Sequence, residues 1–309
     1  INDGYLEALP TVNVVVSEKD LIQRDFGPAL ASQLGRDISS VLTIKLSPDA
    51  TISYNLHTMD QAGLWTGGFL DLLATQHHRE RGGGVAEVSG DLIPELQGWA
   101  WGHEGTLDYP TEGLLPRGPM PEEWMSYRGH YLYNDTVTFA YSIDGREILE
   151  TPAAPRGFPA VQHTLEIGPG EALLLSLGKV ENASKDHSGQ FAADAKEFAL
   201  NGEGEIHVLG TAGNGDNKIG RFLAATAWGD TGGLEWTIDE QERLMVTIPA
   251  DTDKRVFQVI RNAGNGEGEL LSFSNFLRSR KLGREAPISP STRLTGGERR
   301  WKETLHTSG

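Results

Sequence analysis

Cysteine is missing altogether from this chain of 309 residues. The chain therefore forms no disulfide, no thiolate metal site, no cysteine nucleophile and no covalent link to c-type haem. Two catalytic motifs are missing as well. No glycine-rich segment has the Lys-Ser/Thr ending of a phosphate loop, and no Gly-x-Ser-x-Gly nucleophile elbow occurs. We accordingly predict that this chain binds no cofactor of its own.

Long apolar runs and positive charge are also scarce. No stretch of about 18 apolar residues exists, so we predict that no segment spans a membrane. The chain has 27 Lys and Arg against 43 Asp and Glu, a net charge of −16. Such a surface repels a phosphate backbone, which predicts no nucleic-acid partner. The acidity serves either solubility or a docking face for a basic partner.

Turn-forming residues, by contrast, are abundant, and 38 glycines and 15 prolines separate many short apolar runs. This composition favours an all-β fold. Residues 41–46 and 51–56 alternate between apolar and polar side chains, which predicts a hairpin with one buried face. Residues 131–149, with Asp144-Gly145 at a turn, predict a β-meander. About a dozen such strands are typical of an antiparallel β-sandwich.

The pattern of strands and turns divides the chain into an extension, a β-sandwich domain and a C-terminal segment, at residues 1–30, 31–271 and 272–309. The sandwich is predicted either as one large unit with long irregular loops or as two halves, residues 31–180 and 200–271. In the C-terminal segment we predict a short helix over residues 275–281, capped by Ser274, followed by a linker or tail.

Several stretches of this sequence resemble a known bacterial module. They are residues 65–71 (WTGGFLD), the meander of residues 121–150 and the tail of residues 294–301, supported by residues 25–28 and 163–167. Together they resemble the N-terminal domain of unknown function in large secreted haem-binding proteins of planctomycetes and verrucomicrobia. The resemblance covers most of the chain, although each motif alone is weak.

The resemblance implies a cellular context. In those proteins a β-propeller similar to sugar dehydrogenases follows, and often a c-type cytochrome segment with a Cys-x-x-Cys-His motif. It therefore implies a secreted or periplasmic protein whose haem lies on a partner or on a further portion, not on any residue here. The first residues lack the basic and apolar regions of a signal peptide, so such a peptide is either absent or already removed.

Aromatic residues suggest a ligand-binding face. Trp99, Trp101 and Tyr109 lie in a long irregular segment, and Trp124 opens the meander. Aromatic rings on loops offer flat apolar faces to sugar rings, which predicts glycan binding by these four residues. The alternative is that they cap the core beneath a long loop. Trp65 is predicted to be a core residue.

Carboxylates in the same region suggest an alternative, catalytic interpretation. Asp71, Glu104 and Asp108 are the candidate acids and bases of a glycoside hydrolase. Such an enzyme needs two carboxyl groups roughly 5 to 10 Å apart, which nearness in sequence does not establish. The simpler alternative is an exposed acidic loop.

Histidines are the remaining candidates for chemistry. His77, His78 and His103 are suitable zinc ligands by residue type. Neighbouring histidines on a strand point to opposite faces, and the spacing of zinc motifs is absent. We therefore predict no metal site.

Three functions stay open from the sequence. The first, which we favour, is a non-catalytic binding or interaction module for a glycan or a protein partner within a secreted sugar-oxidising, electron-transferring assembly. The second is a carbohydrate-active enzyme that uses the loop carboxylates. The third is a purely structural subunit of an assembly.

Overall fold

The computed structural model describes residues 27–76, 84–107, 119–133, 135–183, 205–214, 218–279 and 286–294. In these residues nearly all regular structure is antiparallel β-strand, which confirms the predicted all-β sandwich class. No helix among them is long and apolar enough to cross a membrane.

The elements are numbered in chain order. The strands are β1 (Ala29–Leu34), β2 (Ile38–Ser47), β3 (Ala50–Asn55), β4 (Gln61–Thr66), β5 (Leu70–Asp71), β6 (Glu87–Val88), β7 (Asp91–Leu92), β8 (Ala100–Trp101), β9 (Met125–Tyr133), β10 (Thr136–Ile143), β11 (Arg146–Ala153), β12 (Ala160–Ile167), β13 (Leu173–Lys179), β14 (His207–Ala212), β15 (Ile219–Gly229), β16 (Glu235–Ile238), β17 (Arg243–Ile248) and β18 (Arg255–Asn265). The helices are α1 (Glu267–Ser279) and α2 (Ser291–Leu294), with 3-10 turns at Leu73–Gln76 and Pro94–Leu96.

Three larger sheets surround the main core. The five-stranded sheet has the order β1-β2-β3-β4-β7, the seven-stranded sheet β14-β15-β18-β12-β11-β10-β9, and the four-stranded sheet β16-β17-β13-β8. β5 and β6 pair separately. All three larger sheets contribute inward-facing residues to one hydrophobic cluster, so the core is shared rather than divided between the sheets.

The predicted first hairpin is present, because β2 pairs with β3 through Ile44 and Ile52. The expectation of a single buried face is wrong. Val41 and Thr43 on the opposite face are also buried. A second cluster that includes Trp65 and Leu70 packs on that face, so both sides of the hairpin exclude water. Trp65 is therefore a core residue, as predicted.

The predicted meander is also present as β9, β10 and β11. The two proposed halves, residues 31–180 and 200–271, supply strands to the same sheets. β12 pairs with β18 from Ala160–Asn262 to Ile167–Arg255, and β13 pairs with β17. The seven-stranded and four-stranded sheets thus contain strands from both ranges, whereas the strands of the five-stranded sheet all precede residue 93.

The C-terminal helix differs from the sequence expectation. α1 begins at Glu267, not near residue 275, and Ser274 is buried within it rather than capping it. Leu270, Phe273 and Leu277 form the apolar face of α1 that packs on the outer side of the seven-stranded sheet. Burial of this face fixes the position of the helix more strongly than a cap at residue 274 would.

The segment after α1 is partly ordered against the sandwich. Glu166 of β12 accepts hydrogen bonds from the backbone N of Ser291 at 3.0 Å and from the hydroxyl of Ser289. Lys254 lies 3.0 Å from the same carboxylate. Residues 286–294 are therefore anchored near the C-terminal end of strand β12, in the middle of the seven-stranded sheet. Residues 295–309 lie outside the described part.

Gly68 provides a test of the close backbone approach between residues 66–68 and 89–90. A Cβ at this position would lie 1.9 Å from the carbonyl oxygen of Ser89, far inside contact distance. We expect Gly68→Ala to lower the free energy of unfolding by about 1–3 kcal/mol, because backbone must move apart. Urea unfolding monitored by tryptophan fluorescence measures this change.

The matched control is Gly268→Ala in α1, where an added Cβ meets no atom within 4 Å. Alanine is the better helix former, so this variant should be as stable as the parent or more stable. Equal unfolding midpoints for Gly68→Ala and the parent would show that the 66–68 and 89–90 segments do not pack as described.

Candidate functional site

The predicted aromatic face is not assembled as expected. Trp99 and Trp101 are fully buried, so neither indole offers a face to solvent, which corrects the glycan-binding interpretation of both residues. They are buried because β8 pairs with β13, which turns this segment towards the core. Tyr109 lies outside the described residues. Trp124 is half-buried and stacks on His103 with ring centroids 4.0 Å apart.

The most polar part of the core surrounds Glu150, whose side chain is fully buried. Its carboxylate accepts hydrogen bonds from the hydroxyl of Tyr54 at 2.7 Å and from that of Tyr141 at 2.5 Å. The Nδ1 of His163 lies 2.8 Å from the same carboxylate. Trp101 donates to the hydroxyl of Tyr141 at 2.9 Å. Three donors, the hydroxyls of Tyr54 and Tyr141 and Nδ1 of His163, thus surround Glu150, an arrangement that suits a carboxylate.

His163 connects this carboxylate to a buried guanidinium. Arg261 Nη2 lies 3.0 Å from His163 Nε2, and because arginine can only donate, Nε2 is the acceptor. Nδ1 of His163 therefore carries the proton and donates to Glu150. The order Arg261, His163, Glu150 places one positive and one negative charge on either side of a neutral imidazole. Trp99 covers the imidazole, with ring centroids 3.7 Å apart.

Arg261 also joins the three larger sheets. It donates to Gln61 Oε1 of β4 at 2.9 Å, to the carbonyl of Leu177 on β13, and to the carbonyl of Leu96 at 3.3 Å. Its own strand, β18, lies in the seven-stranded sheet. One side chain therefore bonds to each sheet that surrounds the core.

Burial determines the protonation of this network. Burial and the nearby charge of Arg261 lower the pKa of His163 to about 4, although the hydrogen bond to Glu150 opposes the shift. Burial lowers the pKa of Arg261 to about 10, which leaves it protonated at neutral pH. Burial and Glu150 raise the pKa values of Tyr54 and Tyr141 well above the usual tyrosine range. The network is thus charge-balanced.

Glu150, His163 and Arg261 are fully buried, so this network is part of the core. Sequence reasoning did not select Glu150, His163 or Arg261. For His163 the sequence does contain a signal, which is its position in the alternation of side chains. It lies on the same face of the strand as the apolar residues Val161 and Leu165. A charged or polar residue at an inward-facing position needs a buried partner.

The two described candidate carboxylates, Asp71 and Glu104, lie in different elements of the fold. Asp71 accepts a hydrogen bond from the backbone N of Leu73 at 2.9 Å and belongs to the small β5–β6 sheet. Glu104 is exposed at a tight turn, and its backbone N donates to Asp144 at 3.1 Å. Asp108 lies outside the described residues.

The histidine positions give no metal centre within the described ranges. His103 forms a close contact with Asp144 and stacks on Trp124. No group of three or more potential ligands that could hold a metal ion occurs in the part of the chain that the structure describes. His77 and His78 lie outside that part.

Three consecutive apolar side chains are exposed on β9. Tyr131, Leu132 and Tyr133 have exposed fractions of 48%, 57% and 57%. β9 is the last strand of the seven-stranded sheet and pairs only with β10 among the described residues. Its outer edge therefore presents backbone groups next to three exposed apolar side chains, a combination that favours association with another strand.

Comparison with known proteins adds a family of undefined function. Residues 52–150 match the profile of a domain of unknown function (DUF6797). This range begins within β3 and ends within β11, at Glu150. The match confirms that a domain of unknown function is present, whereas the planctomycete and haem-protein context stays a prediction.

Two solved structures are similar to this chain at low scores. One is a variant of the GH36 α-galactosidase AgaA from Geobacillus stearothermophilus with 1-deoxygalactonojirimycin, at 9% identity and a TM-score of 0.34, covering 76% of this chain and 42% of that one. The other is a variant of the same enzyme with stachyose, at 10% identity and a TM-score of 0.28, covering 80% and 42%. The chain thus corresponds to less than half of the enzyme's length. No curated protein matches in sequence.

Removal of the buried carboxylate tests the charge balance. Glu150→Gln leaves the charge of Arg261 without a counter-charge in the core, so we expect the free energy of unfolding to fall by about 3–5 kcal/mol. The matched control is Glu147→Gln on the same strand, which breaks an exposed pair with Arg128 at 2.5 Å. That variant should lose no more than about 1 kcal/mol. Similar losses for both variants in urea unfolding would contradict a charged, buried Glu150.

The proton on His163 provides a second test. Its folded pKa of about 4 is below the ordinary value of 6.5, so its contribution to stability is complete above pH 6.5 and is lost as the pH falls towards 4. Burial raises the pKa of Asp60 to about 7, which acts in the opposite sense over the same range. A bulk stability curve therefore mixes the two groups, and NMR of the imidazole nitrogens separates them.

We expect NMR at pH 6 to show His163 as the neutral Nδ1–H tautomer, still uncharged well below pH 6.5. Arg261→Met removes the donor to Nε2 and serves as the comparison, since Nε2 then loses its protein partner. A charged imidazole at pH 6 in the parent protein would contradict the described order of charges.

Proposed function

We propose that this chain is a non-catalytic interaction module that binds a protein partner through the open edge of β9. The observation that carries the proposal is the exposure of Tyr131, Leu132 and Tyr133 on a strand with no neighbour on one side in the described residues. Soluble proteins usually shield such edges with charge, proline or a covering segment.

The register of β9 defines which backbone groups are available. Tyr133 pairs with Thr136, so two residues join β9 to β10. In such a hairpin the flanking pair is hydrogen-bonded, and hydrogen-bonded pairs alternate along the strand. Tyr133 and Tyr131 therefore bond to β10, whereas Leu132 and His130 direct their N–H and C=O groups outwards. An extended segment of a partner fits these groups by strand addition.

The side chains next to this edge support a protein partner over a glycan. Two of the four aromatic residues proposed for sugar binding, Trp99 and Trp101, are buried. The exposed aromatic rings lie on a regular strand, where main-chain hydrogen bonds supply affinity and alternate side chains supply specificity. Because the predicted four-residue aromatic face is not assembled, a glycan is an outcome of the test below rather than the ligand that we favour.

The resemblance supplies the context of the proposal. A secreted or periplasmic assembly that contains a propeller dehydrogenase-like domain and a c-type cytochrome is the setting we propose, with haem on the partner and none on this chain. A purely structural subunit differs only in using other surfaces for assembly.

Leu132→Lys tests the edge. Lysine on an edge strand opposes addition of another strand, so we expect this variant to lose its assemblies while it keeps its fold. The matched control is Leu92→Lys, at a residue of similar exposure (52%) on the edge of the five-stranded sheet. Native mass spectrometry of protein purified from its own source, with haem absorbance recorded on the same samples, gives the readout.

The expected result is a species heavier than 33.6 kDa for the parent and for Leu92→Lys, and the single chain for Leu132→Lys. Assemblies that persist in Leu132→Lys would refute the role of the β9 edge. Retention of a glycan by the isolated chain, abolished by Trp124→Ala and not by Leu132→Lys, would favour the glycan-binding alternative.

A further inference from the structure

We propose that the partner at the β9 edge is a second copy of this chain, related by a two-fold axis and paired antiparallel through β9. This inference rests on the proposed function and names the occupant. Three features of β9 carry it: its charge, its outward-facing backbone groups and the side chains on its two faces.

Charge is the first feature. The chain carries a net charge of −16, so two copies repel each other over most of their surfaces. Residues 124–133 contain no Asp or Glu, and Arg128 and His130 lie among them. Arg128 already pairs with Glu147 of its own chain. The β9 edge is therefore a stretch where two acidic copies meet without carboxylates facing each other.

The backbone is the second feature. Leu132 and His130 direct their N–H and C=O groups away from β10, as derived from the hairpin register. A two-fold axis through Tyr131 places Leu132 of each copy opposite His130 of the other. Leu132 of one copy and His130 of the other then exchange backbone hydrogen bonds, and the two-fold axis generates a second, equivalent pair. The strand is thus complementary to itself in this register.

The third feature is the distribution of side chains across the edge. Val137 and Phe139 of β10 face the main core, so Thr138 and Ala140 lie on the opposite face of the sheet. Their partners Tyr131 and Gly129 lie on that face too, together with Tyr133. In the same register Tyr131 faces Tyr131 of the other copy, and Tyr133 lies over Gly129, where an added Cβ meets no atom within 4 Å. An aromatic ring that covers a strand glycine is a stabilising cross-strand arrangement.

The strength of the contact follows from its size. Strand pairing over a few residues buries less surface than a permanent dimer interface of about 1,200–2,000 Å² in total. We therefore expect a dimer that dissociates on dilution. Added salt should strengthen it, because salt screens the repulsion between two acidic copies.

The absence of cysteine allows a sharp test with single-cysteine variants. In the proposed register residues 131 of the two copies form a non-hydrogen-bonded pair with Cα atoms about 4.5 Å apart, within the range of a disulfide. Tyr131→Cys should therefore give a covalent dimer of twice 33.6 kDa under mild oxidation of the full chain. Tyr133→Cys is the matched control and should stay largely monomeric. In the proposed register residue 133 of one copy faces residue 129 of the other, four positions away from the second cysteine.

Sedimentation of the parent chain across concentration completes the test. A reversible dimer that Leu132→Lys abolishes supports the inference. A parent that stays monomeric at all concentrations, or equal cross-linking of Tyr131→Cys and Tyr133→Cys, overturns it. If heavier assemblies from the native source nevertheless depend on Leu132, the partner is a different protein and the proposed function stands. If they do not depend on Leu132, the proposed function fails as well.

Discussion

The fold depends on the hydrogen-bonded series of Arg261, His163 and Glu150 in the centre of the core. Two opposite charges are held apart by a neutral imidazole, and Trp99 and the tyrosine hydroxyls shield them from water. Arg261 bonds to Gln61 and Leu177 on two other sheets. The same group of side chains therefore balances its own charge and fixes the mutual position of three sheets.

The fold class and its local pairings could be predicted from sequence, because alternation and turn residues act over short distances. The hairpin of residues 41–46 and 51–56, the meander and the burial of Trp65 follow from such signals. The pairing of β12 with β18 could not be predicted, because it joins distant segments with no matching signal in either. The start of α1 was missed since packing, not capping, determines it.

The candidate site shows the same limit. The sequence identifies Trp99 and Trp101 as unusual, but whether an aromatic ring faces solvent depends on which distant strand covers it. His163 lies on the apolar face of β12, which indicates that its side chain is buried but not which residues it contacts. The exposed residues of β9 belong to a predicted strand, yet its place at the end of the sheet follows only from the complete strand order.

The distance in sequence between Gln61 and Arg261, 200 positions, has a consequence for biosynthesis. Until β18 leaves the ribosome, Glu150 lacks the cation that balances its charge. The five-stranded sheet and the pairs β9–β10, β10–β11 and β11–β12 consist of earlier strands and can form before that point. The central network, and with it the mutual position of the three sheets, therefore forms only after β18 has been synthesised.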